Sequence, residues 1–482
     1  MSYDIIGTRE FAFEDQLRFA SLSGDRNPMH VDPVAARRTV YGDVVVHGVH
    51  VSLWALDCLL STRTGPRTIA QLRTEFRGQV SLGEAYRCEL VDDADEHFSL
   101  SISGRRGVVA TLTGALHRGD PPGGVEFSAE AQPLDCREAT LDELVSASGA
   151  LPLHVDSSLL SASFPALASR ASVLQVAEIL ATTRLVGMEC PGLHSVYSSF
   201  ELRLHDHRVA RDLSYHTVKV DRRFSLLQIA VRGPTLEGRI DAFVRPAPVA
   251  QPSVDTVART VAPHEFLGER AIVIGGSRGL GEITAKIITA GGGAVRVSYH
   301  LGKAEASTLC NDIRVAGGDC ASFALDVTCG NDTALRDLAR DWLPTQVYYF
   351  ATPHIALQRG ALFEPVKFHR YAEYYVDGFT RSVLAVLESV IDPLAVFYPS
   401  TVFLDKYERN STEYCAAKAA GELVCRHIEA SHMLARMHAP RLPRTRTDNT
   451  ASGFIPVRAA DALDVMLPVI RRMRQSRGAS SD

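Results

Sequence analysis

The chain holds no Cys-x-x-Cys pair, and its nine cysteines are odd in number. A disulfide framework that uses every cysteine is thereby excluded, and no zinc-ligand spacing is present. Free thiols in a reducing cytoplasm, with no bound metal, are the expectation. Long runs of lysine and arginine are also missing, and the formal net charge is −5, so nothing favours nucleic acid as a partner. The first residues, MSYDIIGTREFAFED, lack a basic stretch followed by an apolar one and do not read as a secretory signal. The most apolar segment, Val44 to Leu60, contains His47, His50 and Asp57. That composition predicts a buried helix rather than a membrane span.

What is present is a chain of 482 residues, 46% hydrophobic and 22% charged, long enough for more than one core. Two Pro-rich stretches divide it, HRGDPPGGVEF near residue 125 and VRPAPVAQPSVD after residue 243. The predicted blocks are 1–125, 126–247, a linker over 248–262, and 263–482. The last opens on AIVIGG and then alternates strand-like and helix-like segments, as parallel α/β chains do.

The first two blocks echo each other. SGDRNPMHVD at 23–32 returns as SGALPLHVD at 148–156. A shift of 124 residues lays His30 on His154, Asp32 on Asp156 and Phe76 on Phe200. The same shift superposes GVHVSLWALDCL (48–59) on SVLQVAEILATT (172–183), both with helical apolar spacing, and alternating strand-like segments follow each. A helix that is apolar nearly all round needs cover on most sides, which a curved sheet supplies. Two such copies predict two similar units packed side by side.

In the first copy, Asp25 and His30 share a polar loop just ahead of the helix. An acid and a base that converge on neighbouring substrate carbons can remove an α-proton and protonate a leaving hydroxyl. Gly48 opens the helix, where a bare backbone N–H can approach a carbonyl oxygen with the helix dipole behind it. Taken alone, SGD and NP are ordinary turn chemistry, and a loop histidine is more often solvated than catalytic. The whole run of Ser23, Gly24, Asp25, Asn27, Pro28, His30 and His47-Gly48 resembles the signature of the MaoC-like, R-specific enoyl-CoA hydratase family. The resemblance implies a hot-dog fold, Asp25 and His30 as catalytic pair, Gly48 as carbonyl donor, and reversible hydration of trans-2-enoyl thioesters to (R)-3-hydroxyacyl thioesters. In the second copy Ala150 or a gap stands in place of Asp25, and Ser172 replaces Gly48. That half is expected to be non-catalytic and to shape the acyl or pantetheine channel.

The third block carries AIVIGGSRGLGEITAKII, with Gly275, Gly279 and Gly281 between a strand and a helix. Residues without a Cβ let backbone amides cradle a pyrophosphate at a helix N-terminus. The next strand ends without an Asp or Glu for a ribose hydroxyl; His300 and Lys303 lie there instead, and Arg278 sits inside the turn. Basic groups suit a 2′-phosphate, so NADPH is the expected cofactor, with Asp326 placed to reach the adenine.

Tyr-x-x-x-Lys occurs three times, at Tyr215/Lys219, Tyr299/Lys303 and Tyr414/Lys418. Only the last lies in a helix-forming run, where i and i+4 share a face. An ammonium there is expected to lower the tyrosine pKa. With Ser400, these residues and the glycine turn resemble the short-chain dehydrogenase/reductase family over about residues 268–450. The resemblance implies Tyr414 as proton donor, Lys418 on the nicotinamide ribose and Ser400 on the substrate carbonyl. Ser277, Leu280 and Ala351 complete the implied cofactor cradle. Departures stand beside it: Phe350-Ala351-Thr352-Pro353 and Asp377 occupy the places of two family Asn motifs, and no final strand is evident.

The expectation is thus an α+β double hot-dog followed by an α/β Rossmann-like doubly wound domain. It would dehydrate or hydrate acyl-CoA or acyl-carrier-protein thioesters and reduce 3-oxoacyl thioesters with NADPH, in fatty-acid or polyketide assembly. A homodimer is implied. The alternative is a dehydratase alone, with a structural cofactor-binding appendage.

Overall fold

The computed structural model describes residues 4–94, 96–119, 133–205, 211–355, 362–406, 408, 410–451 and 458–478. The expected boundary at 125/126 lies outside the described residues. Two compact units divide at Ala247/Pro248.

The first unit has ten strands: β1 (Asp4–Glu10), β2 (Arg67–Phe76), β3 (Ala85–Ala94), β4 (His97–Gly104), β5 (Gly107–Arg118), β6 (Ser148–Pro152), β7 (Ser195–Leu204), β8 (Asp212–Asp221), β9 (Leu226–Arg232) and β10 (Leu236–Val244). They form one antiparallel sheet ordered β1-β3-β4-β5-β2-β7-β10-β9-β8-β6. Under the 124-residue repeat β2 corresponds to β7, and β3, β4 and β5 to β8, β9 and β10, so the order reads alike from either edge. The halves join where β2 pairs with β7, Leu72 opposite Leu202 and Thr74 opposite Phe200. Helices Gly48–Ser61 and Val173–Arg184 belong to one continuous apolar core with the sheet. Val44 to His47, which the apolar run had placed in the first helix, instead leads into it as extended chain.

From the histidine onward the two segments share a local capping pattern. Asp32 caps the short helix Pro33–Ala36 by accepting from the N–H groups of Val34 and Ala35, and Asp156 does the same for Ser157–Ser163 through Ser158 and Leu159. Before the histidine the copies differ. Ser148–Pro152 is the edge strand β6, so Ala150 is a strand residue opposite Ser214, and no loop exists there to carry an acid.

The second unit has strands β11 (Arg270–Ile274), β12 (Ala294–Tyr299), β13 (Asp319–Ala324), β14 (Gln346–Tyr349), β15 (Leu394–Phe397), β16 (Ser400–Thr401), β17 (Ala435–His438) and β18 (Arg441–Leu442). Six of them form a parallel sheet ordered β13-β12-β11-β14-β15-β17, the doubly wound arrangement. β16 pairs only with β18. Residues 248–262, read as a linker, instead pack within this unit. Val257 and Val261 join its core, and Lys286 donates to Pro252 O at 2.9 Å.

Candidate active site

Each residue of SGDRNPMHVD has a local job. Ser23 ends the helix Phe13–Ser23, and Gly24 caps it with φ +74°, a left-handed conformation that favours glycine. Asn27 caps the next helical turn by accepting from Met29 N, and Pro28 starts that turn without needing a donor. Between these caps the chain presents Asp25 and, one turn later, His30, both buried.

The His30 ring is held by one bond, Nδ1 to Val45 O at 2.7 Å. A carbonyl only accepts, so Nδ1 carries the proton in the neutral ring and Nε2 is left with its lone pair. Burial pushes the His30 pKa down, against the pull of Asp25. The Asp25 carboxyl is pushed up by burial, with His30, Thr183 and Asn27 opposing. Oδ1 accepts from Asn27 N at 3.1 Å, and Oδ2 accepts from Thr183 Oγ1 at 2.7 Å. His47 stacks on His30, centroids 3.9 Å apart, and its Nε2 lies 3.1 Å from Asp25 O. Gly48 is the first helical residue, so its N–H has no intrahelical acceptor. A Cβ there would meet the Phe76 ring at 2.8 Å.

Asp25, His30 and Gly48 line one cavity with Tyr41, Thr183 and Tyr197. The second half therefore contributes directly to the site. Asn27 Nδ2 donates to Gly187 O at 2.9 Å, and Arg26 N donates to Met188 Sδ at 3.3 Å. Gly187 admits no side chain, because a Cβ there would land on the Asp25 carboxylate. Thr183 and Gly187 carried no signal in a single-site reading. Only a position-by-position comparison of the copies marks Thr183, where the first copy has Leu59. Asp25, His30 and His47 place ligand atoms within 4.8 Å of one another, and both Asp25 carboxylate oxygens already accept hydrogen bonds from the protein.

In the second half His154 hydrogen-bonds the backbone of Leu22, and burial with the Arg184 charge pushes it down to about 4. Arg184, whose charge acts on His154, is 1% exposed.

The second unit has a tight glycine turn between β11 and the helix Gly279–Ala290. Gly275 adopts φ +73°, and a Cβ on it would meet Ala351 N at 2.6 Å. Gly281 packs equally closely on Gly276. Ser277 lies in the turn, Arg278 caps the helix Gly279–Ala290, and Leu280 sits in its first turn. Arg278 pairs with Asp448 at 3.0 Å, and His300 faces Asp326 at 3.6 Å. Lys303 is exposed at the start of the helix Lys303–Val315. No acid ends β12, so these residues fit a phosphorylated dinucleotide.

The structure places the reductase residues and corrects one expectation among them, the direction of the Tyr414 shift. Tyr414 interacts with the side chain of Thr401, and the Ser400 hydroxyl donates to Glu422. Neighbouring residues of β16 face opposite ways, so only one of the pair can meet the tyrosine. Asp377 is exposed in the π-helical turn Glu373–Gly378, whereas buried Tyr375 holds Thr352 at 2.5 Å and packs edge-on to Tyr414. Finally, burial pushes the Tyr414 pKa up rather than down. Lys418 is itself pushed down to about 7 by burial. It donates to Pro399 O at 2.7 Å, and its Nζ lies 3.7 Å from the Tyr375 ring centre. Tyr215 and Lys219 lie on β8, and Tyr299 and Lys303 straddle a strand end and a helix start, as expected.

Residues 3–112 match the family described as MaoC like domain. The 3-hydroxybutyryl-CoA dehydratase of Methylorubrum extorquens is 33% identical over 78 residues, 16% of this chain and 49% of that protein. The mitochondrial 3-hydroxyacyl-[acyl-carrier-protein] dehydratase of Arabidopsis thaliana is 34% identical over 77 residues, 16% of this chain and 46% of that protein. The chain thus spans about half the length of the curated relatives it matches. Among solved structures, a short-chain dehydrogenase/reductase from Serratia marcescens matches 45% of this chain and 94% of its own, with 15% identity and TM-score 0.39. A putative short chain dehydrogenase from Escherichia coli CFT073, complexed with NADPH, matches 45% and 97%, with 16% identity and TM-score 0.40. No described helix is long and apolar enough to cross a membrane.

Proposed function

We infer that the chain joins an N-terminal MaoC-like dehydratase domain to a short-chain dehydrogenase/reductase-like unit. We propose that its first unit is a double hot-dog that interconverts (R)-3-hydroxyacyl and trans-2-enoyl thioesters, on coenzyme A or a carrier protein. The observation that supports this most is the pairing, in one cavity, of a His30 with Nε2 uncommitted and an Asp25 held from across the repeat by Thr183. In the dehydration direction, His30 Nε2 takes the proton from C2, and Asp25, favoured in its acid form by burial, gives a proton to the departing 3-hydroxyl. Gly48 N–H would donate to the thioester oxygen that becomes enolate-like. Hydration is the same path reversed.

The second unit is proposed as an NADPH-dependent 3-oxoacyl-thioester reductase in fatty-acid or polyketide assembly, working as a cytoplasmic homodimer. The backbone of Gly275 to Gly281 and Ala351 would hold the diphosphate. Arg278, His300 and Lys303 would meet the 2′-phosphate, Asp326 the adenine and Lys418 the ribose. When bound, NADPH supplies the hydride. The chain's own part is Tyr414, with Thr401, donating the proton to the carbonyl oxygen. Reduction makes the hydroxyl that dehydration removes, and one chain carrying both sites raises the effective concentration of the shared intermediate. A dehydratase-only reading is favoured by one observation: Lys418 is already held by Pro399 and the Tyr375 ring.

The test is a panel of 3-oxoacyl and enoyl thioesters, on coenzyme A and on carrier protein, with products read by mass spectrometry. Hydration that stops in Asp25→Asn, and NADPH oxidation that stops in Tyr414→Phe, are expected. No NADPH oxidation on any substrate leaves the dehydratase alone; no hydration on any substrate defeats the first claim.

A further inference from the structure

His47 stands at the N-cap of the helix Gly48–Ser61, a position that favours Ser, Thr, Asp or Asn because their short side chains bond the first helical amides. Its ring makes no such bond, although it is 0% exposed. The ring turns instead to the Asp25–His30 loop. Nε2 lies 3.1 Å from Asp25 O, and a carbonyl only accepts, so Nε2 carries the proton and donates it. The same nitrogen is 3.9 Å from Asp25 Oδ2. The ring also stacks on His30, with centroids 3.9 Å apart and planes 25° from parallel. His47 is itself anchored by the helix Phe13–Ser23. Gln16 Oε1 accepts from His47 N at 3.2 Å and lies 3.1 Å from Nδ1, and the Phe19 ring packs at 5.0 Å. A buried polar side chain that forgoes the local cap calls for a gain elsewhere.

The repeat supplies an independent observation. The 124-residue shift lays His47 on Ala171, so the half without a counterpart of Asp25 also has no ring here, although it keeps His154. The helix Val173–Arg184 forms behind Ala171 and is buried all the same, so the fold does not require a histidine at this place. The ring accompanies the acid. We propose that His47 is a positioning residue for the dehydratase step: its Nε2–H holds the Asp25 backbone and its ring face holds His30, which fixes acid and base relative to each other beside the Gly48 N–H. This rests on the dehydratase reading of the site.

Three variants take the two contacts apart. His47→Phe keeps a ring face for His30 and loses the donor, His47→Gln keeps a donor for Asp25 O and loses the ring, and His47→Ala loses both. Enoyl hydration is followed as kcat and KM separately, and thermal unfolding identifies the temperature at which each variant is folded. His47→Ala should lose about 10²-fold in kcat, the cost of moving a reacting group by about an ångström, with KM within about threefold of wild type. His47→Phe and His47→Gln should each fall between the two. Folded His47→Phe and His47→Ala that keep kcat within about twofold of wild type overturn the proposal, whatever their melting temperatures, and leave His47 a packing role. A second readout, the His30 titration by NMR in the resting protein, needs no turnover. Asp25 favours the protonated His30 ring, so a carboxylate released from its place in His47→Phe should lower the His30 midpoint by about half a pH unit, the order of one charge displaced near a protein site. An unmoved midpoint in His47→Phe overturns the proposal even if no enoyl thioester is a substrate. Wild-type inactivity on every thioester defeats the dehydratase reading instead.

Discussion

The two halves of the first unit share a strand order, a buried helix and an Asp-capped turn after a buried histidine, yet their histidines have opposite surroundings. His30 is tied to a carbonyl through Nδ1, faces a cavity and has a carboxylate beside it. His154 has a buried Nε2 without a partner, a guanidinium for a neighbour, and no acid. What separates them is less the deleted aspartate than what the second half gained. Thr183 bonds the other half's Asp25 and Gly187 leaves it room, while the Arg184 charge acts on His154.

Asp25→Asn should weaken that comparison most. The amide keeps the shape but cannot take the proton from the attacking water, and enoyl hydration should fall by about 10²–10⁴-fold with the melting temperature little changed. Gly187→Ala should come next, although residue 187 touches no substrate in this scheme. Its Cβ would displace the Asp25 carboxylate, and a shift of about an ångström costs on the order of 10²-fold. Hydration at the wild-type rate in Gly187→Ala would show that the second half does not hold the acid.

Much of this was legible in the sequence, because the informative residues work locally. The Ser23-to-Asp32 phrase encodes its own caps and turn, and the strand–Gly275–helix run encodes its own cradle. Contributions across the repeat were not legible: Thr183 meets Asp25 from 158 residues away, and no spacing rule reports that. Two reductase residues have surroundings that the motif spacing does not show. Strand alternation turned Ser400 away and Thr401 inward. The π-helical turn at 373–378 breaks the regular i, i+4 phase, leaving Asp377 exposed and Tyr375 inside.

Thr183→Val tests the cross-repeat bond with a smaller expected loss. The isosteric valine removes one hydrogen bond to Asp25 Oδ2 and leaves Asn27 N on Oδ1. Hydrogen bonds to charged groups are worth about 1.5–3 kcal/mol, so hydration should drop roughly ten- to a hundredfold. The loss of a donor also favours the protonated acid, so the half-titration point of Asp25 should rise, visible as a change in the pH–rate profile that Gly187→Ala need not share.

His154→Ala should matter least to chemistry, and for that reason it is the sharpest check on which half is silent. The histidine lies outside the cavity lined by His30, and its ring nitrogen Nε2 is unpartnered. Hydration should stay within about twofold of wild type, since nothing in the substrate scheme touches it. Stability has a definite pH sign. The folded pKa of about 4 lies below the ordinary value of 6.5, so between the two the unfolded chain binds the extra proton, and wild-type stability falls as pH drops from about 6.5 to 4. In His154→Ala that acid-side slope should flatten, read by denaturant unfolding at several pH values. If the variant loses hydration as fully as His30→Ala, the two halves are both catalytic and the asymmetry drawn from Thr183 and Arg184 is wrong.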